Sequence, residues 1–114
     1  DDSAIDGLAG DDTIQLRFDE DVSGSDLADD LSNIETLDLS ADGANKITSL
    51  SLQDVLDITD GGNTLTINGD AADTVELSGA SNWTLDVGQS DANYSVYTSN
   101  TATLEIQTGI IIIE

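Results

Sequence analysis

The sequence predicts a mostly-β domain, a packed sheet or sandwich of about seven to eight short strands with one or two short helices. Three observations carry that prediction. Apolar and polar residues alternate along most of the chain, glycine- and aspartate-rich turns punctuate the alternation, and only two stretches show helical spacing. A chain of 114 residues is long enough to bury one core without disulfides.

The elements follow in order. Ile14, Leu16 and Phe18 alternate with Gln15 and Arg17, and Leu37 and Leu39 flank Asp38. Leu65 and Ile67 flank Thr66, and Val75 and Leu77 flank Glu76. Trp83, Leu85 and Val87 alternate with Thr84 and Asp86; Tyr94 and Val96 flank Ser95; Leu104 and Ile106 flank Glu105. Period-two alternation marks a strand with one buried and one wet face. Asp6-Gly7, Asp42-Gly43, Asp60-Gly61-Gly62-Asn63 and Asn68-Gly69-Asp70 separate these runs with residues that favour positive φ or bond their own backbone. Thr98-Ser99-Asn100-Thr101 reads as the hairpin loop before the tail. Ile110 to Ile113 do not alternate, which suits a strand buried on both faces or one awaiting cover from a neighbouring domain.

Two helices are expected. Ser51-Leu52-Gln53-Asp54 has the form of a capping box, and Leu52, Val55 and Leu56 then line one face. A second helix begins near Ser25, with Leu27 and Leu31 one turn apart. An internal echo relates Ile5–Leu16 to Ile67–Leu77: each runs strand, glycine turn, aspartate, strand. That echo predicts neighbouring strands delivered by similar turns.

Charge narrows the function. Twenty-four acidic residues face two basic ones, Arg17 and Lys46, for a formal charge of −22. A compact chain so charged repels itself and needs a strong core, cations, or both. Two basic residues cannot neutralise phosphates, so neither nucleic acid nor an anionic membrane is an expected partner. No apolar run approaches the ~20 residues that span a bilayer. Without histidine or cysteine the usual base–nucleophile pairs cannot form, so no enzyme activity is expected. No EF-hand loop is present.

One motif carries chemistry. Gly7-Leu8-Ala9-Gly10-Asp11-Asp12-Thr13-Ile14 matches the calcium-binding nonapeptide G-G-x-G-x-D-x-U-x except for Leu8 at its second glycine. Glycines let carbonyls point inward, the aspartate adds a carboxylate, and stacked turns share a hard cation that wants six to eight oxygens. On these residues the chain resembles the repeats-in-toxin (RTX) proteins of bacteria. The segments from Asn33 to Ser40, Ser51 to Leu56 and Asn63 to Ile67 resemble the acidic modules beside such repeats in large RTX adhesins.

The resemblance implies type I secretion, folding on calcium at the cell surface or outside the cell, and a part in adhesion. It divides the chain into an RTX-like turn and first strand over 1–16, resembling the end of a β-roll, and an acidic β-rich module over 17–114. It implies Ca²⁺ ligands at the carboxylate of Asp12 and the carbonyls of Gly7 and Ala9; Asp70 and Asp73 join them through the internal echo. Adjacent domains of the same chain are the other implied partners, since the sequence reads as a segment of a longer protein.

The acidic stretch of Asp19, Glu20, Asp21, Asp26, Asp29 and Asp30 reads as a solvated surface. Trp83, Tyr94 and Tyr97 are the amphipathic aromatics. Trp83 and Tyr94 fall at core-facing positions, whereas Tyr97 has the opposite parity and is the expected exposed contact, with Trp83 beside it, for a surface glycan or peptide. Three functions therefore stand at this stage: a calcium-stabilised structural or adhesive module, a glycan- or peptide-binding module, and a calcium-independent spacer.

Overall fold

Strands form where the sequence alternates, and helices form where leucines lie a turn apart. The computed structural model describes residues 5–6, 13–15, 21–39, 45–59, 63–77, 83–99 and 101–113. The first elements are β1 (Ile5–Asp6), β2 (Thr13–Gln15), β3 (Asp21–Ser23) and α1 (Gly24–Asp30). Next come β4 (Leu31–Ser32), β5 (Thr36–Asp38), β6 (Lys46–Thr48) and α2 (Leu52–Ile58). Then follow β7 (Thr64–Asn68), β8 (Thr74–Glu76), β9 (Thr84–Leu85), β10 (Tyr94–Ser99), β11 (Ala102–Gln107) and β12 (Ile111–Ile113). Leu16 to Phe18, predicted to extend the first strand, lie outside the described residues.

The mostly-β class and the two short helices are as the sequence predicts. Assembly is by stacking. Apart from β9 and β10, each strand pairs in parallel with its counterpart in a neighbouring coil. One sheet runs β2-β5-β7-β11 in parallel, and β10 and β9 then extend it antiparallel. A second sheet, β12-β8-β6-β3, is parallel throughout. The short parallel pair β1-β4 starts the first two coils. Parallel neighbours need a long return connection, and α1 and α2 supply it, carrying the chain from the second sheet back to the next coil. The predicted hairpin loop joins β10 to β11, with Ser99 opposite Ala102.

Stacking aligns like with like. Ile14, Leu37, Ile67 and Ile106 form one ladder in register, and Leu37, Ile67 and Ile106 are fully buried. Thr13, Thr36 and Thr66 form the ladder beside it, on the outward parity, and end at Glu105, which accepts a hydrogen bond from Thr66 Oγ1 at 3.1 Å. Asn33 and Asn63 turn into successive coils with the same left-handed backbone, φ 55° at each. Asparagine tolerates that region better than most residues because its side chain bonds locally.

The internal echo does not produce neighbours. β2 lies in the first sheet and β8 in the second, so the two similar stretches of sequence lead into strands of different sheets.

The helices form as their caps dictate. Ser51 Oγ accepts from Asp54 N at 3.1 Å, and Ser51 N donates to Asp54 Oδ2 at 3.0 Å, completing the capping box. In α1, Ser23 Oγ accepts from Asp26 N at 3.1 Å, so the helix starts slightly before the expected Ser25. Leu27, Leu31, Val55 and Ile58 are buried, and Leu52 and Leu56 pack half-buried against the same core. Among the described residues no helix is long and apolar enough to cross a membrane.

The helices stack so closely that Gly24 has no room for a side chain. A Cβ there would lie 2.5 Å from Asp54 Oδ2 and 2.9 Å from the Leu50 Cα. The Leu50 backbone is fixed by its own bond, Leu50 N donating to Glu76 O at 3.1 Å. Gly24→Ala should therefore destabilise by about 1–3 kcal/mol, the usual cost of overpacking, despite alanine's better helix propensity. Urea unfolding checks this; a neutral or stabilising result would show that the helices separate freely.

Candidate functional site

The turn between β7 and β8 holds two of the sequence-predicted ligands. Asn68-Gly69-Asp70 ends one strand and Asp73 begins the approach to the next. Asp70 is exposed; its Oδ1 accepts from Ala72 N at 2.9 Å, a short aspartate turn. Asp73 is fully buried. Its Oδ1 accepts from Asn45 N at 3.1 Å and Asn45 Nδ2 at 3.5 Å, and its Oδ2 accepts from Asp70 N at 2.9 Å. The Asp73 carbonyl accepts from Ile111 N at 2.9 Å. One residue thus ties its own turn to the coil before and the coil after.

Its partner is equally committed. Asn45 is buried, its Nδ2 also donates to Leu39 O at 3.0 Å, and its carbonyl accepts from Thr74 N at 2.9 Å. Gly69 makes the corner possible. A Cβ there would lie 2.7 Å from Asp73 Oδ2, and Gly69 N donates to Gln107 Oε1 at 2.9 Å. Chemically, this arrangement holds a buried carboxylate by N–H donors on both oxygens, as a buried charge requires. The link between Asn45 and Asp73 was not foreseen. Its signal is positional: each immediately precedes a strand, and those strands pair Lys46 with Thr74.

Gly7, Ala9 and Asp12, the other predicted ligands, lie outside the described residues. Among the described residues no group of three or more acidic side chains is placed to share one ion. Of the predicted acidic surface, Asp26 and Asp29 are exposed. In the loop before β10, Asp91 Oδ1 accepts from Tyr94 N at 2.9 Å and Asn93 N at 2.8 Å. Those two donors, Tyr94 first, hold the Asp91 carboxyl below the ordinary aspartate range.

The aromatic platform is corrected by the structure. Tyr97, expected to be exposed, is 4 % exposed. It pairs with Leu104 on one side and Leu85 on the other, in the row that also holds Leu65. Both Val96 and Tyr97 are buried, so simple alternation fails in the middle of β10. Trp83 is half-buried against the core and its Nε1 donates to Leu50 O at 2.9 Å. Tyr94 is the more open of the two tyrosines, and its hydroxyl donates to Asn68 Oδ1 at 2.5 Å. The rings therefore serve packing and are not gathered on one contact face.

Comparison with protein-family models, with curated proteins and with solved structures found no match to this chain.

Proposed function

We propose that this chain is a non-catalytic, calcium-stabilised structural module of a secreted or surface-bound bacterial adhesin of the RTX kind. The observation that carries the reading is the conflict between charge and architecture. A stack of parallel coils with a continuous apolar core carries a formal charge of −22. Self-repulsion of that size opposes compaction, and divalent cations relieve it where carboxylates cluster. The motif from Gly7 to Ile14 supplies the matching donor chemistry. Type I secretion and a location outside the cell belong to the same proposal. Calcium at millimolar concentration would there favour the folded chain. A site with Kd ~10⁻⁴ M stabilises by about 2 kcal/mol at a few millimolar calcium.

The buried network at Asp73 favours one competing reading, a spacer that needs no calcium, because protein N–H groups already satisfy that carboxylate. Thermal unfolding separates the two. Melting in chelator and then across micromolar to about ten-millimolar calcium, with magnesium as control, should show a large calcium-selective rise in Tm. An unchanged Tm in a chain already folded in chelator would leave the spacer reading standing and remove the calcium one.

A further inference from the structure

We propose that Asn68-Gly69 is a latent self-modification site: the closed coil holds the asparagine inert, and opening of the coil lets it convert to aspartate or isoaspartate. The inference goes beyond the calcium reading and does not rest on it. Asn68-Gly69 is the one asparagine–glycine pair in the chain. Asparagine is thermally labile, and most so before glycine, whose missing Cβ lets the following backbone nitrogen turn and attack. The Gly69 nitrogen bonds to Asn68 Cγ, closing a cyclic imide, and the side-chain nitrogen leaves as ammonia with the Gly69 proton. Water then adds at either imide carbonyl and breaks its bond to the ring nitrogen. The product is aspartate, or isoaspartate with the main chain rerouted through the side chain.

The fold both demands this labile pair and restrains it. A Cβ at residue 69 would lie 2.7 Å from Asp73 Oδ2 and 3.0 Å from Ile110 Cδ1, so the corner has room for glycine and little else. Each group that the reaction must move is held. Asn68 O accepts from Leu39 N at 2.7 Å, which pins the peptide unit to the coil before. Gly69 N, the nucleophile, is buried and donates to Gln107 Oε1 at 2.9 Å, which ties it to the coil after. Asn68 Oδ1 accepts from the Tyr94 hydroxyl, which anchors the side chain that carries Cγ. Ring closure has to break the last two bonds. Conversion therefore tracks the open population of this corner.

The change also works against reclosing. Asp38 is the register partner of Asn68, so a new carboxylate would stand beside another acid in the ladder. Isoaspartate would further lengthen the main chain by a carbon at the end of β7. A coil that has opened is thereby marked, and it closes less firmly.

Peptide mapping by mass spectrometry, after incubation in mildly alkaline buffer, tests this on the folded chain and on a short peptide copying residues 65–72. The peptide should convert at least about a hundredfold faster than Asn68 in the folded chain. Tyr94→Phe and Gln107→Leu each remove one restraint at a half-buried position. Each should speed conversion in the folded chain by roughly threefold to tenfold, the effect of one hydrogen bond. Gln107→Glu, which keeps an acceptor, should stay near the parent rate. Ile14→Ala, which weakens the far end of the stack, should speed conversion less than Tyr94→Phe. Equal rates in peptide and folded chain would overturn the proposal. So would rates unmoved by both Tyr94→Phe and Gln107→Leu, or an acceleration greatest in Ile14→Ala, which would make global unfolding the gate. Asn68→Asp, the product with its main chain unaltered, should lower the urea midpoint; an unchanged midpoint would overturn the claim that conversion weakens reclosing.

Discussion

Asp73→Ala should destabilise the chain by about 3 kcal/mol, and by the same amount in chelator as in calcium. The substitution leaves Asn45 N without its acceptor in a buried corner, and Asp70 N without its acceptor at the part-buried rim of it. Orphaned buried donors cost more than a lost surface bond because no water replaces the partner. Asp73→Asn is the finer instrument. It keeps one oxygen but turns an NH₂ group towards an N–H donor, so it should cost about half as much. Urea unfolding of both variants with and without calcium gives the answer. A cost that appears only in calcium would make Asp73 a metal ligand, as the RTX resemblance implied; an equal cost in both makes it a clasp between coils. The N–H donors already on both oxygens favour the clasp.

Much of the fold was legible, for a local reason. Alternation depends on neighbours two residues apart, so the strands at Leu37, Leu65, Ile67, Val75, Leu104 and Ile106 declare themselves. Ser51 and Asp54 likewise carry their capping box in four consecutive residues. Stacking was hidden because the coils differ in length. Thr13 pairs with Thr36, Thr36 with Thr66, and Thr64 with Thr103, so no fixed period exists to be found. Helices α1 and α2 fill the return of the first two coils, and β9 and β10 are added before the strand of the next coil, β11. The echo that does stand out in the sequence leads into strands of two different sheets, because glycine and aspartate recur wherever the sequence breaks its alternation. Tyr97 was misjudged because β10 departs from strict alternation at Val96 and Tyr97, which lie between partners on both sides. The Asn45–Asp73 clasp joins residues far apart in sequence, and no local pattern encodes such a pairing.

The second large effect is expected at the centre of the isoleucine ladder. Ile67→Ala should cost about 4 kcal/mol, against a total stability for such domains of about 5–15 kcal/mol. Ile67 is fully buried between Leu37 and Ile106, so its truncation leaves a void bounded on both sides by strands that cannot close over it. Ile14, at the end of the same ladder, is half-buried and has Leu37 on one side. Ile14→Ala should cost only about 1–2 kcal/mol, because a partly exposed site loses less transfer energy and relaxes more easily. Urea unfolding followed by the fluorescence of Trp83, the chain's one tryptophan, measures both. The contrast is the test. In a stack where each coil touches chiefly its neighbours, the cost of a cut depends on how many neighbours share it. Equal costs at Ile14 and Ile67 would mean that the ladder is not the unit that holds the coils together. A steep difference would show that the centre of the stack, and not its acidic surface, sets the stability that cations can only adjust.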